Sequence, residues 1–298
     1  MRSTISHIKL FGTKVLLNLL SRRKDLDPNQ VILIVSDPRS GSTWLSEVLS
    51  TINQSYIIDE PLHINNVHEL KALKFEWRQH IPVNRNWPAA KQFFKNLFSG
   101  KINNPSISKL GSAKNGQQLI VKTIRAKLLL PWLCQQFNFT YKPIVLVRHP
   151  LAMIASLKKH NAFDYPFNKI KSIDHVFEKH LSFLSKLETN TEQQLALWCL
   201  ANKYLSEIKD VKWMVIKYES LIRNFDHTIN YIFKTWGLKL PLNIKESKLR
   251  ASSSTTKKTF DLDTQLHGWK DVLSPEEVDR YNMILKYFSI DYDNLYQS

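Results

Sequence analysis

The sequence predicts an α/β fold, in which a mostly parallel sheet is flanked by helices. Three short apolar runs, each followed by a turn or polar residues and then a helical pattern, indicate this class; they are residues 31–35, 143–147 and 212–217. Such runs suit strands of a parallel sheet, and strands that alternate with helices build this kind of fold. A chain of 298 residues fits one large domain of this type.

The first strand, Val31 to Val35, leads into a turn-rich stretch, residues 36–41, and then into a helical pattern that begins at Ser42. A loop between a buried strand and a helix N-terminus offers unpaired backbone N–H groups and the positive end of the helix dipole. Both features favour an anion. The sequence therefore predicts an anion-binding loop directly after the first strand.

This loop is P-loop-like but differs from the nucleotide triphosphatase pattern G-x-x-x-x-G-K-[ST]. Aligned on Gly41, Ser36 replaces the first glycine and Ser42 replaces the lysine, whereas Thr43 keeps the hydroxyl. Arg39 supplies a cation two residues before Gly41. The pattern favours a phosphate or sulfate ligand over a triphosphate with magnesium.

The other strand–helix units follow in order along the chain. The second strand stops at Arg148, and a helix is predicted from Leu151. The third leads through Tyr218 into a helix that we expect to end near Gly237, since glycine commonly ends helices. Further elements are a strand over 118–122, a short strand-like stretch before Glu60, two helices within 173–209 that separate near residues 189–191, and a capped helix that starts at Ser274.

The chain is strongly basic: 42 Lys and Arg against 26 Asp and Glu give a formal charge of +16. This charge favours an anionic partner such as a nucleotide, an acidic glycan, an anionic lipid or nucleic acid, and does not choose among them. The basic residues are scattered, and no nucleic-acid-binding motif is present. We therefore expect no nucleic acid partner.

The two cysteines, Cys134 and Cys199, lie in apolar, helix-like stretches and are predicted to be buried thiols. Neither a zinc site nor a disulfide framework is indicated. We expect no metal, and we expect a cytoplasmic protein because free thiols suit a reducing compartment.

Residues 1–27 are predicted to form an amphipathic extension before the domain. The apolar run from 11 to 20 contains Lys14 and is shorter than the roughly 20 residues that a spanning helix needs. No small-residue cleavage site follows it. The extension either packs on the domain or makes peripheral contact with a membrane surface.

Two segments resemble the nucleotide-binding motifs of sulfotransferases that use 3′-phosphoadenosine-5′-phosphosulfate (PAPS). Residues 38–45, Pro-Arg-Ser-Gly-Ser-Thr-Trp-Leu, resemble the 5′-phosphosulfate loop, most closely that of the carbohydrate and protein-tyrosine branch, which has Arg where cytosolic aryl enzymes have Lys. Residues 147–156 resemble the 3′-phosphate element, an Arg-Asp-Pro followed by Ser. Arg148 and Ser156 keep the spacing, and His149 replaces the usual Asp.

The resemblance implies a single sulfotransferase domain over residues 28–298, which moves a sulfuryl group from PAPS to an acceptor hydroxyl of a carbohydrate, glycolipid or other glycoconjugate. No metal would be needed. It also implies that a Tyr-Glu-x-Leu segment and a late Ser/Thr-rich loop border the nucleotide. The implied nucleotide-binding residues are Arg39, Ser40, Gly41, Ser42, Thr43, Trp44, Arg148, Ser156, Tyr218, Ser253, Ser254 and Lys257.

Besides Arg39, the resemblance implies a catalytic role for Glu60, the general base that would accept the proton of the acceptor hydroxyl. A Glu-Pro pair follows the loop at a similar distance in the carbohydrate enzymes, and here Glu60 comes 21 residues after Arg39. Pro61 is expected to hold Glu60 in an extended conformation. Asp59 and His63 are rival bases.

Several weaker possibilities remain open at this stage. Lys122 either contacts the acceptor or the sulfuryl group, or is a surface lysine. His160 stands where the family often has another basic residue, and its charge depends on pH. Two other function classes also fit: a P-loop kinase or other NTPase, and a non-catalytic basic protein that binds polyanions.

Overall fold

The computed structural model describes residue 16 and residues 25–52, 54–108, 116–160, 175–247 and 261–296. The predicted extension over residues 1–27 and the sequence positions Ser253, Ser254 and Lys257 lie largely or wholly outside these ranges. Within the described residues, no helix has the length and apolar character to cross a membrane.

In the described part of the chain, five strands form one sheet, and every pair of neighbours in it is parallel. The order across the sheet is β2-β3-β1-β4-β5, so β1 lies at the centre. This confirms the predicted α/β class. The strands are β1 (Ile32–Ser36), β2 (Ser55–Asp59), β3 (Gln118–Thr123), β4 (Ile144–Val147) and β5 (Met214–Lys217).

Helices connect the strands and cover both faces of the sheet. The described helices are α1 (Ser42–Leu49), α2 (His68–Ala72), α3 (Pro88–Phe98), α4 (Leu130–Gln136), α5 (Pro150–His160), α6 (His175–Glu178), α7 (Leu181–Leu184), α8 (Asn190–Ser206), α9 (Tyr218–Arg223), α10 (Phe225–Trp236), α11 (Ile244–Ser247), α12 (Leu262–His267) and α13 (Pro275–Tyr287). A short 3₁₀ helix, Pro28–Gln30, precedes β1.

Most sequence predictions of element boundaries hold to within one or two residues. The helix over 218–236 is one exception, because the structure divides it into α9 and α10 at Asn224, whose backbone is not helical. Residues from both helices, among them Leu221 and Phe225, pack in one apolar cluster with β1 and β4, so the break lets each helix bury its own face. The other exception is the first of the two helices predicted within 173–209, which the structure divides into α6 and α7. The stop at Gly237 and the capping box at Ser274 are confirmed.

The core has two parts, one on each face of the sheet. Alternate residues of β1 contribute to the two parts. Leu33 packs with α4, α5 and α8 on one face, and Ile34 packs with α1, α9 and α10 on the other. Successive side chains of a strand point to opposite faces, so a doubly covered strand is apolar throughout. Cys134 and Cys199 are buried free thiols, as the sequence predicted.

Parallel pairing brings the carboxyl ends of all five strands to the same edge of the sheet, which is where ligands bind in open α/β sheets. Reading across this edge, Glu60 follows β2, Arg125 comes shortly after β3, Arg39 comes shortly after β1, Arg148 follows β4 and Tyr218 follows β5. Residues that are far apart in the chain are therefore neighbours here.

Candidate functional site

The anion loop, residues 37–41, turns sharply between β1 and α1. Arg39 and Gly41 both adopt left-handed backbone conformations, with φ of 60° and 84°. The carbonyl of Gly41 accepts the first helical bond, from the N–H of Leu45 at 3.1 Å. Ser40 is fully buried, and its hydroxyl has no hydrogen-bond partner among the described residues. The loop therefore holds both donor groups and an unused hydroxyl at the start of a helix.

Two arginines and a serine from separate segments meet at this loop. Arg148 donates from Nη1 to the carbonyl of Arg39 at 2.9 Å. Arg39 in turn donates from Nε to the hydroxyl of Ser156, on α5, at 3.1 Å. The sequence assigned Arg39 to one end of a nucleotide and Arg148 with Ser156 to the other, and the structure brings the three side chains together.

The site is electropositive. Burial, and next the positive charge of Arg148, lower the pKa of Arg39 below its ordinary value. Within the described part of the chain, neither guanidinium forms an ion pair with a carboxylate. Arginines that lack a carboxylate partner are available for the bidentate bonds that phosphate or sulfate groups accept.

The side chain of Tyr218 packs against both Arg148 and the anion loop. The guanidinium of Arg148 lies over its ring, 4.8 Å from the centroid, and the buried ring contacts Gly41 closely. Its hydroxyl donates to the side chain of Gln265 at 3.0 Å, and Arg148 donates from Nη2 to the Gln265 carbonyl at 3.1 Å. Gln265, in α12, was not singled out from the sequence, because no local motif marks it. Gln265 therefore contacts both Tyr218 and Arg148, although it lies 47 residues after Tyr218 in the chain.

The close approach of the Gly41 backbone to Tyr218 gives a sharp prediction. A Cβ at Gly41 would lie 2.4 Å from the ring, and its φ of 84° adds strain. We expect Gly41→Ala to displace the loop and abolish binding of adenosine 3′,5′-bisphosphate, the ligand class that the sequence resemblance implies. Isothermal titration calorimetry would measure this loss.

Gly237→Ala is the matched control. Gly237 also has a positive φ, 68°, but a Cβ there would meet no atom within 4 Å. We expect it to cost only about 1 kcal/mol of stability, through backbone strain, and to leave ligand binding unchanged. Equal binding by the two variants would mean that the contact between Gly41 and Tyr218 does not shape the site.

The other predicted loop residues differ in their surroundings. Ser42 is buried at the start of α1, and Thr43 is partly exposed. The ring of Trp44 packs in the core against Phe225, at 5.8 Å between centroids, so its side chain serves packing and its backbone N–H is the group at the helix start. Ser253, Ser254 and Lys257 lie outside the described residues.

His149 occupies the position where the family has Asp. Its side chain is half-buried and packs against other aromatic rings. Its ring stacks on Trp269, with 5.6 Å between centroids, and meets Tyr292 edge-on at 5.1 Å. Its backbone N–H donates to Glu219 at 3.0 Å. Burial is the main cause that lowers the pKa of His149, so the ring is neutral near pH 7.

His160 is exposed at the last residue of α5. Burial and then the positive charges of Arg39 and Lys159 lower its pKa. An imidazole with a lowered pKa carries little charge at neutral pH. It is therefore a poor substitute for a permanent cation at this position.

A second cluster surrounds Glu60, at the end of β2. Its carboxylate accepts from Lys122 Nζ at 3.0 Å, from Arg125 Nη1 at 2.7 Å and from the backbone N–H of Ile124 at 3.2 Å. Lys122 is 6% exposed in its side chain and also pairs with Asp59 at 2.5 Å. Lys122 is thus a buried partner of two carboxylates, and not a surface lysine.

The prediction that Pro61 keeps Glu60 extended is wrong. Glu60 has a φ of 52°, in the left-handed region that non-glycine residues rarely adopt. Its N–H donates to the carbonyl of Lys122 at 2.8 Å, while its carboxylate is held as described above. These contacts outweigh the preference that a following proline imposes.

Arg125 connects Glu60 to the irregular segment that precedes α3. Its guanidinium lies over the ring of Trp77, 4.4 Å from the centroid, and the ring of His63 meets the same indole edge-on at 4.6 Å. Burial, followed by the charge of Arg125, lowers the pKa of His63. Arg125 was not predicted as a site residue, although it lies only three positions after Lys122. The pairing with Glu60 could not be read from spacing alone.

Comparisons with known proteins agree with this architecture. The model of the sulfotransferase domain matches residues 29–286 of the chain. Among solved structures, the sulfotransferase domain from the curacin biosynthetic pathway has a TM-score of 0.50 and 16% identity, covering 88% of this chain and 98% of its own. The sulfotransferase domain of the Synechococcus PCC 7002 olefin synthase has a TM-score of 0.50 and 19% identity, covering 89% and 96%.

A third solved structure, mouse sulfotransferase SULT7A1 complexed with PAP, has a TM-score of 0.46 and 15% identity, covering 93% of this chain and 89% of its own. A search of curated protein sequences gave no match. At these identities the two structures with a TM-score of 0.50 support the fold alone, whereas the family model covers most of the chain.

Proposed function

Because this chain belongs to the sulfotransferase domain family and is a PAPS-dependent enzyme of it, we propose that it transfers the sulfuryl group of PAPS to a carbohydrate hydroxyl, with Glu60 as the general base. One observation carries the proposal: Arg39 and Arg148 meet at the carboxyl ends of adjacent strands, where Arg39 also bonds to Ser156 of α5. Membership of this family sets aside the kinase and polyanion-binding alternatives.

The residues present suit a doubly anionic nucleotide. The buried hydroxyl of Ser40 and the Nε of Arg148 have no hydrogen-bond partner among the described residues. Two unused donors beside two guanidiniums would be costly in a site that stayed without an anion. We assign Arg148 and Ser156 to the 3′-phosphate, and the anion loop with Arg39 to the 5′-phosphosulfate.

PAPS, when bound, supplies an activated sulfuryl group whose transfer is an in-line displacement. The work of the protein is then positioning and charge stabilisation, by analogy with phosphoryl transfer. Arg39 stabilises negative charge at the end of the loop, aided by the first backbone N–H groups of α1. Its bond to Ser156 holds the guanidinium between the two ends of the site.

Glu60 has the capacity to accept a proton from the acceptor. A carboxylate offers about four lone-pair sites, two on each oxygen. Lys122 uses one on Oε1, and Ile124 and Arg125 use two on Oε2. The remaining site on Oε1 has no donor among the described residues and can take an acceptor hydroxyl, while the three donors keep the carboxylate in place. A positioned base of this kind contributes to the rate only when the hydroxyl is bound beside it.

The acceptor class rests on the Arg-type anion loop and on the Glu-Pro pair at residues 60 and 61. Tyrosine in a protein and small alcohols are the competing acceptors. A screen with labelled PAPS against glycans, phenols and tyrosine peptides tests the proposal directly. Transfer to glycans alone would support it, and transfer only to phenols or peptides would contradict the acceptor assignment.

We expect Glu60→Gln to lower turnover by roughly a hundredfold or more, the usual contribution of a general base. Binding of adenosine 3′,5′-bisphosphate should be unchanged, because Glu60 follows β2 and lies outside both nucleotide segments. Single-turnover rates would measure the loss. Glu69→Gln, an exposed change of the same kind on α2, is the control and should keep full turnover.

His63 is the main rival base. The pH dependence of turnover distinguishes it from Glu60. Its pKa is lowered by burial and by Arg125, so it is neutral at pH 7 and would gain a proton only below its ordinary value of 6.5. If His63 were the base, His63→Gln would cost as much turnover as Glu60→Gln and would remove the acid limb of the pH profile. We expect His63→Gln to retain most of the turnover.

The cytoplasmic location and the peripheral membrane contact through residues 1–27 remain predictions. A vesicle sedimentation assay with anionic lipid, comparing the full chain with a version that lacks residues 1–24, addresses the contact.

A further inference from the structure

Behind the two nucleotide segments lie two carboxylates, neither of which forms an ion pair with Arg39 or Arg148 within the described residues. Asp37, at 1% exposure, is the first residue of the anion loop, and Glu219 lies in the first turn of α9. Asp37 accepts from Lys127 Nζ at 2.5 Å and from Asn202 Nδ2 at 3.2 Å. Glu219 accepts from the backbone N–H of His149, the residue that follows Arg148. Each carboxylate thus holds one nucleotide segment from the rear.

The 288–296 segment contributes one tyrosine hydroxyl to each of these clusters. Tyr296 donates to Oδ1 of Asn202 at 2.9 Å, and the same oxygen accepts from Lys127 at 2.6 Å. Tyr292 donates to Glu219, and its ring also meets the ring of His149. Two residues four positions apart therefore complete two clusters that lie behind different strands.

The 288–296 segment is itself held firmly on the protein. Lys217, the last residue of β5, donates to the backbone carbonyls of Tyr292 at 2.9 Å and Asp293 at 2.8 Å. Lys203 of α8 donates to the carbonyl of Phe288 at 2.9 Å, and the Phe288 side chain is fully buried. These contacts hold the segment against the ends of β5 and α8. The two hydroxyls are therefore presented in a defined geometry.

We propose that the 288–296 segment is a positioning element of the donor site, an inference that rests on the nucleotide assignment proposed above. Tyr296 acts through Asn202 and Asp37 on the anion loop, and thus on the 5′-phosphosulfate end. Tyr292 acts through Glu219 and His149 on the end of β4, and thus on the 3′-phosphate end. Both tyrosines are positioning residues, because their hydroxyls contact protein groups behind the site.

The variants Tyr292→Phe and Tyr296→Phe each remove one of the two hydroxyls. Two nucleotide ligands then report separately on the two ends of the site. Adenosine 3′,5′-bisphosphate probes both ends, and adenosine 5′-monophosphate probes only the 5′ end. We expect Tyr292→Phe to raise the dissociation constant of the bisphosphate about fivefold and to leave that of the monophosphate unchanged. Tyr296→Phe should raise both about fivefold, as expected for one lost hydrogen bond.

Tyr281→Phe is the matched control. It also removes a hydroxyl that donates within the protein, from a buried tyrosine of α13 to Thr191 at 3.0 Å, and it touches neither carboxylate cluster. We expect it to lower the melting temperature as much as the other two variants and to bind both nucleotides like the unmodified protein. KM for PAPS should rise only in the Tyr292 and Tyr296 variants, while KM for the acceptor stays the same.

Binding within twofold of the unmodified protein by both Tyr292→Phe and Tyr296→Phe, with melting temperatures lowered as in the control, would overturn the inference and leave the segment a purely structural role. Failure of the nucleotide assignment would give a different result, because the unmodified protein would then bind neither nucleotide. That result would also overturn the inference.

Discussion

Arg148→Ala weakens binding of adenosine 3′,5′-bisphosphate by at least about a hundredfold, because it removes two hydrogen bonds to a charged group that are worth about 1.5–3 kcal/mol each. Arg148 is placed for this role by β4, by the carbonyls of Arg39 and Gln265, and by the ring of Tyr218. Calorimetric titration measures the loss. It should be much smaller for adenosine 5′-monophosphate, which lacks the 3′-phosphate.

Arg223→Ala provides the charge-matched control, since Arg223 is an exposed residue in the last turn of α9. It removes the same positive charge from the protein and should leave nucleotide binding within a factor of two. Equal losses by the two variants would mean that the general positive potential of this basic chain attracts the nucleotide, and that Arg148 does not grip the phosphate.

Arg148→Lys separates charge from geometry at the same position. Lysine keeps the positive charge but lacks the planar fork that pairs with two phosphate oxygens and stacks on an aromatic ring. The stacking partner, Tyr218, is buried and lies 4.8 Å below the guanidinium. We expect Arg148→Lys to recover only part of the lost affinity.

The local features of the fold could be predicted from the sequence. The apolar runs that became β1 and β4, the loop with Arg39 and Gly41, and the capping box at Ser274 depend on residues that are close in the chain. Periodicity, turn chemistry and capping are short-range properties, so one sequence suffices to read them. The meeting of Arg39 with Arg148 followed because parallel strands bring their carboxyl ends together.

The pairs that support the site were not predicted, because they join residues with no local signal. Lys127 is 90 residues from Asp37, and Arg125 is 65 residues from Glu60. Such pairings depend on the order of strands in the sheet, which the sequence did not supply. The backbone conformation of Glu60 could not be predicted for the same reason, since long-range ion pairs override the preference that Pro61 imposes on it.

The largest loss of stability should come from Lys127→Met. The Lys127 side chain is 3% exposed and lies between Asp37, at 1%, and Asn202, which is fully buried. Methionine keeps most of the volume but leaves the Asp37 carboxylate buried without its close cation, since Arg78 approaches it only to 3.9 Å. Breaking a buried pair in this way costs about 3–5 kcal/mol, and urea unfolding would measure it.

Lys158→Met makes the same substitution in an exposed ion pair. Lys158 bonds to Glu277 at 2.7 Å, but its side chain is 42% exposed, so solvent screens the interaction. We expect a loss of no more than about 1 kcal/mol there. Equal losses by the two lysine variants would contradict the view that burial makes the Asp37–Lys127 pair sensitive.

Adding Asp37→Asn to Lys127→Met identifies the physical cause of the loss. The double variant has no uncompensated charge in the core, and replacing both partners of a buried pair is far less costly than removing one. We therefore expect it to recover much of the lost stability. Nucleotide affinity should recover less than stability, because a neutral amide oxygen accepts a weaker hydrogen bond from Asn202 than the Asp37 carboxylate does. Stability and binding would then separate at a residue whose carboxylate bonds to Lys127 and Asn202.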